Sequence, residues 1–331
     1  MSLWLRERVI LSWKPSASIN TLISRAQLIQ NIRQFFISRD VLEVETPTLS
    51  CATVTDVHLQ GFQTHFISPF KADSQLLYMQ TSPEFAMKRL LSAGSGAIFQ
   101  ICKAFRNEEA GRYHNPEFTM LEWYRPGFDH FQLMEEVDEL MQSILRSQPA
   151  DTISYQNVFL QYLKFDPLNA NLALIKKVCI QHGFTDIAEL ETNKDTLLQL
   201  LFSHVIEPGI GQLTPVFVTD FPASQAALAR ISRKDNRVAE RFELYFKGIE
   251  LANGFHELTD PKEQRRRFTL DNQVRADNKL PVMPVDELLL RAMDAGLPQC
   301  SGVALGIDRL MMLALQKQDI SEVIAFSINN A

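Results

Sequence analysis

Between Phe99 and Pro126 the chain reads FQICKAFRNEEAGRYHNPEFTMLEWYRP, two apolar runs separated by a dense polar loop that contains glycine. FQICKAF and FTMLEWY have the apolar character of buried strands, so the unit is expected to be a long hairpin. It carries Arg106, Glu108, Arg112, His114, Asn115, Glu117, Glu122, Tyr124 and Arg125. So many charges beside buried strands need a polar counterpart, because a charge taken out of water must be paired. An anionic nucleotide together with an ammonium-bearing molecule would fit. A solvated hairpin with surface charges fits the residue types as well.

The chain has 331 residues, more than one small core needs, so a large domain with an insertion, or two domains, is expected. Its net charge of −6 offers no overall basic surface for nucleic acid. Cys51, Cys102, Cys179 and Cys300 are far apart, show no zinc spacing, and suit a reducing cytoplasm. The start, MSLWLRERVILSW, is apolar but broken by Arg6, Glu7 and Arg8, too short and too charged for a membrane span.

From Ser24 to Ser38, Leu28, Ile29, Ile32, Phe35 and Phe36 recur at helical spacing. VLEVETP then alternates as a half-exposed strand that Pro47 ends. PEFAMKRLLS, from Pro83 to Ser92, reads as a helix with Ser82 as its N-cap. An amphipathic helix is expected from Phe131 to Leu145, and a mainly helical stretch from about Tyr155 to Pro208. PVFVTDFP reads as a buried strand, and RFELYFKGIELANGF as a strand or hairpin. The charged run from Lys262 to Asp277 is expected to be a helix with a solvated face.

The order FRNEE, then RYHNPEFTMLEWY, resembles motif 2 of the class II aminoacyl-tRNA synthetases in its lysine-type form. RQFFISRDVLEVETPTLS (Arg33 to Ser50) resembles motif 1, and GVALGIDRLMML (Gly302 to Leu313) resembles motif 3. RFELYFKGIELANGFHELTD (Arg241 to Asp260) resembles the strand that carries metal and amino-acid ligands in lysyl-tRNA synthetases. The resemblance covers about Ile19 to the C-terminus. It is strongest to the short lysyl-tRNA synthetase paralogues that attach a lysine-type residue to elongation factor P. It implies an α/β fold: a single catalytic domain over residues 1–331 with a class II synthetase-like antiparallel sheet of six or seven strands flanked by helices. A helical insertion would fill about 150–210. The motif 1 helix and strand would build a homodimer interface, although an ordinary core helix has the same periodicity.

The same resemblance implies the chemistry. An amino-acid carboxylate would attack the α-phosphate of ATP, and the site must neutralise and align two anions. Arg106 would contact the α-phosphate and Arg309 the γ-phosphate, as planar forks suited to phosphate oxygens. Asn107, Glu108, His114, Asn115 and Phe118 would hold the nucleotide, with Phe118 stacked on adenine and Glu108 accepting from its amino group. Glu250, Leu251 and Gly306 would complete the ATP site. Any Cβ at Gly306 would crowd the nucleotide. Glu243 and Glu250 would bind Mg²⁺, which takes few protein carboxylates and keeps water and substrate oxygens. A lysine-type substrate would find Glu257 and Tyr124 at its ε-ammonium, Glu84 at its α-amine, and Asn253 and Phe255 at its carboxylate and stem.

Two positions depart from the lysyl-tRNA synthetase pattern: Ser82 replaces an alanine before Pro83-Glu84, and Ala304 replaces a glycine in motif 3. Both changes are shared with the elongation factor P ligase subfamily, which prefers β-lysine. TLSCATVTDVHL also lacks the Gly-Gly-Ala and Arg-Pro-Phe of true lysyl-tRNA synthetases. The anticodon-reading barrel of those enzymes is a five-stranded fold, and the short stretch before the motif 1 helix leaves no room for it, so tRNA is not the expected acceptor. A minimal tRNA-charging enzyme and a catalytically silent paralogue are the rival readings. The missing barrel and acidic balance oppose the first. The presence of Arg106, Glu108, Glu243, Glu250, Gly306 and Arg309 opposes the second.

Overall fold

The computed structural model describes residues 13–70 and 74–331; most of the apolar N-terminal run discussed above lies outside them. The helices are α1 (Ile19–Ile37), α2 (Glu84–Ser92), α3 (His130–Leu145), α4 (Tyr155–Leu163), α5 (Leu172–Gln181), α6 (Thr185–Leu190), α7 (Lys194–Leu201), α8 (Pro261–Asp277), α9 (Glu287–Gly296) and α10 (Ile307–Ala314). The strands are β1 (Leu42–Glu43), β2 (Leu49–Ser50), β3 (Gln63–Ile67), β4 (Ser74–Met79), β5 (Ile98–Phe105), β6 (Glu117–Pro126), β7 (Asp151–Ser154), β8 (Val216–Thr219), β9 (Arg241–Phe246), β10 (Ile249–His256) and β11 (Cys300–Gly306).

Among the described residues one sheet has eight strands in the order β1-β5-β6-β11-β10-β9-β8-β7, and a small sheet runs β2-β4-β3. The expected strand count of six or seven was therefore too low, and the sheet is not wholly antiparallel. Its two end pairs, β1 with β5 and β7 with β8, are parallel. Each is reached through a crossover that contains helices, which is what a parallel pair requires. β1 has only two residues, because after Glu43 the chain leaves the sheet. The middle of the sheet is two hairpins, β5–β6 and β9–β10, joined through β11.

The strands alternate faces. Leu121 and Trp123 of β6, Phe242 and Leu244 of β9, and Val303 and Leu305 of β11 point into the main core, where α1, α3 and α10 cover them. Residues between them point to the other face, which carries the site. Helix α1, which leads into the motif 1 segment, meets the motif 2 and motif 3 segments in one buried knot. Arg25 of α1 lies 2.6 Å from Asp308 of α10, and Asp308 accepts the Thr119 N–H of β6 at 2.7 Å.

The stretch 155–208 is mainly helical, and its Tyr155, Phe159 and Phe202 form a second core together with Val218, Phe221 and Tyr245. Two local expectations need correction. Helix α2 begins at Glu84, not at Pro83, and Ser82 is not its N-cap; the Ser82 hydroxyl accepts the Glu84 N–H at 3.1 Å from outside the helix. Helix α8 is not merely a solvated charged helix. Gln264, Phe268 and Arg275 are buried on one face. The Arg275 guanidinium is satisfied there by the carbonyls of Pro281 and Asp56 and by the Gln60 side chain, at 2.7, 2.8 and 3.0 Å.

Candidate active site

Strand register lays the site out in rows. Glu122 of β6 lies opposite Ala304 of β11, Ala304 opposite Asn253 of β10, and Asn253 opposite Glu243 of β9. The neighbouring row runs Tyr124, Gly302, Phe255, Arg241. Gly302 is glycine for a packing reason: a Cβ there would lie 2.3 Å from the Tyr124 ring and 2.7 Å from the Glu257 carboxylate. The absent side chain leaves the space that brings those two groups together over the sheet.

At one end of these rows lies a buried group of charges. Lys88 of α2 sits 2.7 Å from Glu84 and 2.6 Å from Glu257. Glu122 accepts from the Tyr124 hydroxyl and from the Ser82 hydroxyl, each at 2.7 Å. Burial opposes the charge on Lys88, but Glu257 and Glu84 hold its pKa above the ordinary value. Burial, then the charge of Glu84, raises Glu122 to about 7. Burial raises Glu257 to about 8 despite the Lys88 charge. Beside this group a cavity of about 90 Å³ is lined by Thr53, Val54, Ser82, Pro83 and Glu84.

The structure thus brings Ser82, Pro83, Glu84, Tyr124, Phe255, Glu257 and Ala304 around one place. It adds Glu122 and Lys88, which the sequence reading did not assign. Glu122 was recognisable, since it lies two residues before Tyr124 and must share its face in a strand. Lys88 had one signal, its position one helical turn after Glu84. Tyr124 donates to Glu122 and not directly to Glu257.

Further along the same strands, where β6 and β10 begin and β11 ends, lie the candidate nucleotide residues. Arg309 donates to the Tyr113 carbonyl at 3.3 Å and the Glu250 carbonyl at 3.0 Å, and contacts His114 Nε2 at 2.7 Å. As an acceptor from a guanidinium, that nitrogen must be unprotonated, and burial together with Arg309 lowers the His114 pKa. The Arg106 guanidinium lies 5.1 Å from the Phe118 ring centroid, and its Nε is buried with no partner. An orphaned cationic donor fits an anionic ligand. Glu108 is exposed in a left-handed conformation with φ of 67°, and the Asn107 side chain accepts its N–H.

Three expected nucleotide residues behave differently. The Asn115 amide is occupied within the protein: it donates to the Glu117 carbonyl at 2.6 Å and accepts the Ile328 N–H at 2.9 Å. Leu251 is buried among the main-core side chains, so only its backbone is open to a ligand; the irregular pairing between Glu250 and Ala252 turns it inward. A Cβ at Gly306 would approach nothing closer than 3.8 Å. The protein's own packing therefore does not demand glycine there, unlike at Gly302.

Glu243 is buried and held by Arg241, by the Tyr245 hydroxyl, and by Asn253 at 3.3 Å. Burial raises its pKa, and the Glu250 charge adds to that rise. Glu207, in the helical turns that follow α7, is raised to about 8 by burial and then by the charges of Glu250 and Glu243. Buried carboxylates gathered in this way, with hard oxygen donors and an unpartnered Asn253 Oδ1 beside them, fit a magnesium ion.

Comparison with known proteins gives the family of the chain. A family model described as tRNA synthetases class II (D, K and N) matches residues 1–330. The chain is 58% identical over 320 residues to a protein of Edwardsiella ictaluri (strain 93-146) named elongation factor P--(R)-beta-lysine ligase, covering 97% of this chain and 98% of that protein. It is 60% identical over 319 residues to a protein of the same name from Pseudoalteromonas translucida (strain TAC 125), covering 96% and 98%.

Proposed function

We propose, for a chain that belongs to the class II tRNA synthetases of the D, K and N group, that it is an ATP-dependent ligase that activates a lysine-type amino acid, (R)-β-lysine, and transfers it to a lysine of elongation factor P. The observation that carries the substrate is the charge count of the buried group. Glu84, Glu122 and Glu257 face a single ammonium, Lys88. With all groups ionised, three negative charges against one positive leave a surplus of two. The two ammonium groups of a diammonium amino acid neutralise it, with the substrate's carboxylate lying outside the group. A monoammonium amino acid leaves a buried charge uncompensated.

In this reading the substrate's ammonium groups occupy the Glu84, Glu122 and Glu257 end. Its carboxylate lies towards Asn253 and attacks the α-phosphorus of ATP. The bond from that phosphorus to the bridging oxygen breaks and pyrophosphate leaves. Arg106 and Arg309 stabilise the charge on the phosphates, and Phe118 stacks on the adenine. Glu243 and Glu250 would hold Mg²⁺, which supplies further charge neutralisation at the phosphates. The acceptor's deprotonated ε-amine then attacks the acyl carbon, an amide forms, AMP leaves, and the amine gives up a proton.

A second copy of the chain completes the assembly through α1 and β1, where Ile23 is 64% and Leu42 55% exposed. No helix among the described residues is long and apolar enough to cross a membrane, and Cys51, Cys102, Cys179 and Cys300 are free thiols. Both suit work in the cytoplasm. The deciding experiment supplies labelled α-lysine or β-lysine with ATP and either elongation factor P or tRNA. Label on elongation factor P, greater with β-lysine, is expected. Label on tRNA alone would overturn the acceptor.

A further inference from the structure

The strongest feature outside the site lies behind it, on the core face of the sheet. His256 ends β10 and, by strand alternation, points away from the face that carries Glu257. There it meets His130, the first residue of α3, and Glu240, which precedes β9. Both imidazoles are 6% exposed. Their Nδ1 atoms are 3.0 Å (His256) and 3.8 Å (His130) from the same Glu240 oxygen, yet each is buried without a hydrogen-bond partner. One ligand atom from each of the three residues falls within 4.8 Å of the others.

We propose that His130, His256 and Glu240 form a site for a divalent ion of the zinc class, separate from the magnesium carboxylates. Two imidazole nitrogens with one carboxylate oxygen are borderline donors that select Zn²⁺ or Co²⁺ over Mg²⁺. Tetrahedral zinc holds two nitrogen ligands about 3.3 Å apart, so small side-chain rotations close the observed span. The backbone around the trio is already fixed: His256 N–H donates to the Glu240 carbonyl at 2.8 Å, and Glu240 N–H to the Arg230 carbonyl at 2.9 Å. Arg230 also grips the Glu240 carboxylate at both oxygens, with Nε 2.5 Å from Oε2 and Nη2 3.2 Å from Oε1. It acts as the outer partner that orients a metal-binding carboxylate, and lone pairs remain for the ion. Charge supports the assignment. Glu240 and Asp129 act on both imidazoles and Asp220 on that of His130, against the Arg230 guanidinium, so the surroundings carry a negative surplus that favours a cation. Bound there, the ion would tie α3 to the end of the strand that presents Glu257.

The test uses tag-free, full-length protein stripped of metal and titrated with Co²⁺. One equivalent per chain should give the visible absorption of a low-coordinate cobalt site, displaced by Zn²⁺ and not by Mg²⁺. His256→Gln and His130→Ala should each remove the band and the Zn²⁺-induced rise in Tm, and near-ultraviolet circular dichroism checks that the variants fold. Absence of a stoichiometric band in the wild-type protein overturns the proposal, whatever the variants do. So does a band that survives both substitutions, which would place the ion elsewhere.

Discussion

The Lys88 ammonium lies 2.6 Å from the Glu257 carboxylate, with both side chains almost wholly out of water. Glu257 therefore already has a cation before any substrate arrives. Lys88 divides its charge between Glu257 and Glu84, which keeps two carboxylates from repelling each other at close range. The pocket can then hold three acids ready for two incoming ammonium groups.

Glu257→Gln tests this division. The substitution keeps the shape, removes one charge, and leaves Lys88 with Glu84 alone. Amino-acid activation should weaken by about 2–5 kcal/mol, the usual cost of breaking a buried charged pair. ATP affinity should hold within about twofold, because the candidate nucleotide residues lie further along the strands, away from Glu257. Separate titrations of ATP and amino acid give the answer. A fall in ATP affinity would move Glu257 to the metal site.

The raised carboxyl groups set a pH dependence. Glu122 rises to about 7 and Glu257 to about 8, from an ordinary 4.5. The folded protein therefore binds protons that the unfolded chain has released. Stability from these groups is complete below about pH 4.5 and is lost as pH rises through about 7 and 8. A diammonium ligand binds the ionised form, so its affinity should increase about tenfold or more from pH 6 to pH 8.5. Calorimetry with lysine and with β-lysine at both values measures this. Affinity that is flat across the window would mean that the two acids are already ionised.

Arg309 bridges three elements, contacting Tyr113, His114 and Glu250. Arg309→Ala should cost about a hundredfold or more in ATP–pyrophosphate exchange. Arg309→Lys should recover little, since a point charge cannot reach three acceptors as a planar fork does. Arg106→Ala should fall as far while leaving the fold intact. Exchange within about threefold of wild type in either alanine variant would remove that arginine from the phosphate site.

The motifs made the centre of the fold legible because both hairpins and the motif 3 strand-turn-helix are local patterns. The apolar runs at β6 and β9 read as strands, the second left open between strand and hairpin, and the helix opening near Arg309 came from the likeness to motif 3. The edges were not legible. VLEVETP read as a strand, but only Leu42–Glu43 of it pair in the sheet; that β1 and β7 pair in parallel with strands far away in sequence has no local signal. Lys88 was hidden for the opposite reason. A lysine in an amphipathic helix normally faces water, and only the three-dimensional approach of Glu257 makes it a buried counter-ion. Arg275 escaped in the same way, inside a helix whose composition is overwhelmingly charged.

Arg275 leads to a further prediction. It holds the Asp56 carbonyl and the Gln60 side chain, and the Gln60 carbonyl accepts the Asn107 N–H at 2.7 Å. Helix α8 is thereby connected, through one loop, to the candidate nucleotide residues. Arg275→Met should raise the KM for ATP roughly tenfold, as misplaced binding groups do, and leave the KM for the amino acid unchanged. Equal changes in both would indicate general loosening of the domain.

Ser82 and Ala304 converge on Glu122: the Ser82 hydroxyl donates to its carboxylate at 2.7 Å, and Ala304 is its cross-strand neighbour. The two departures from the lysyl-tRNA synthetase pattern therefore act on one acid. The hydroxyl fixes the direction of one carboxylate oxygen, and the methyl takes space on the row beside it. The double substitution Ser82→Ala with Ala304→Gly frees that oxygen and opens the row, which should move preference from β-lysine towards α-lysine. One methyl or hydroxyl discriminates by roughly 10–200-fold at most, so the ratio of adenylation efficiencies should shift without inverting completely. If Glu122 transmits the effect, Glu122→Gln alone should lower the efficiency for both isomers and shrink the difference that the double substitution makes. An unchanged isomer ratio in the double variant would mean that the cavity wall at Thr53 and Val54 positions the amine instead.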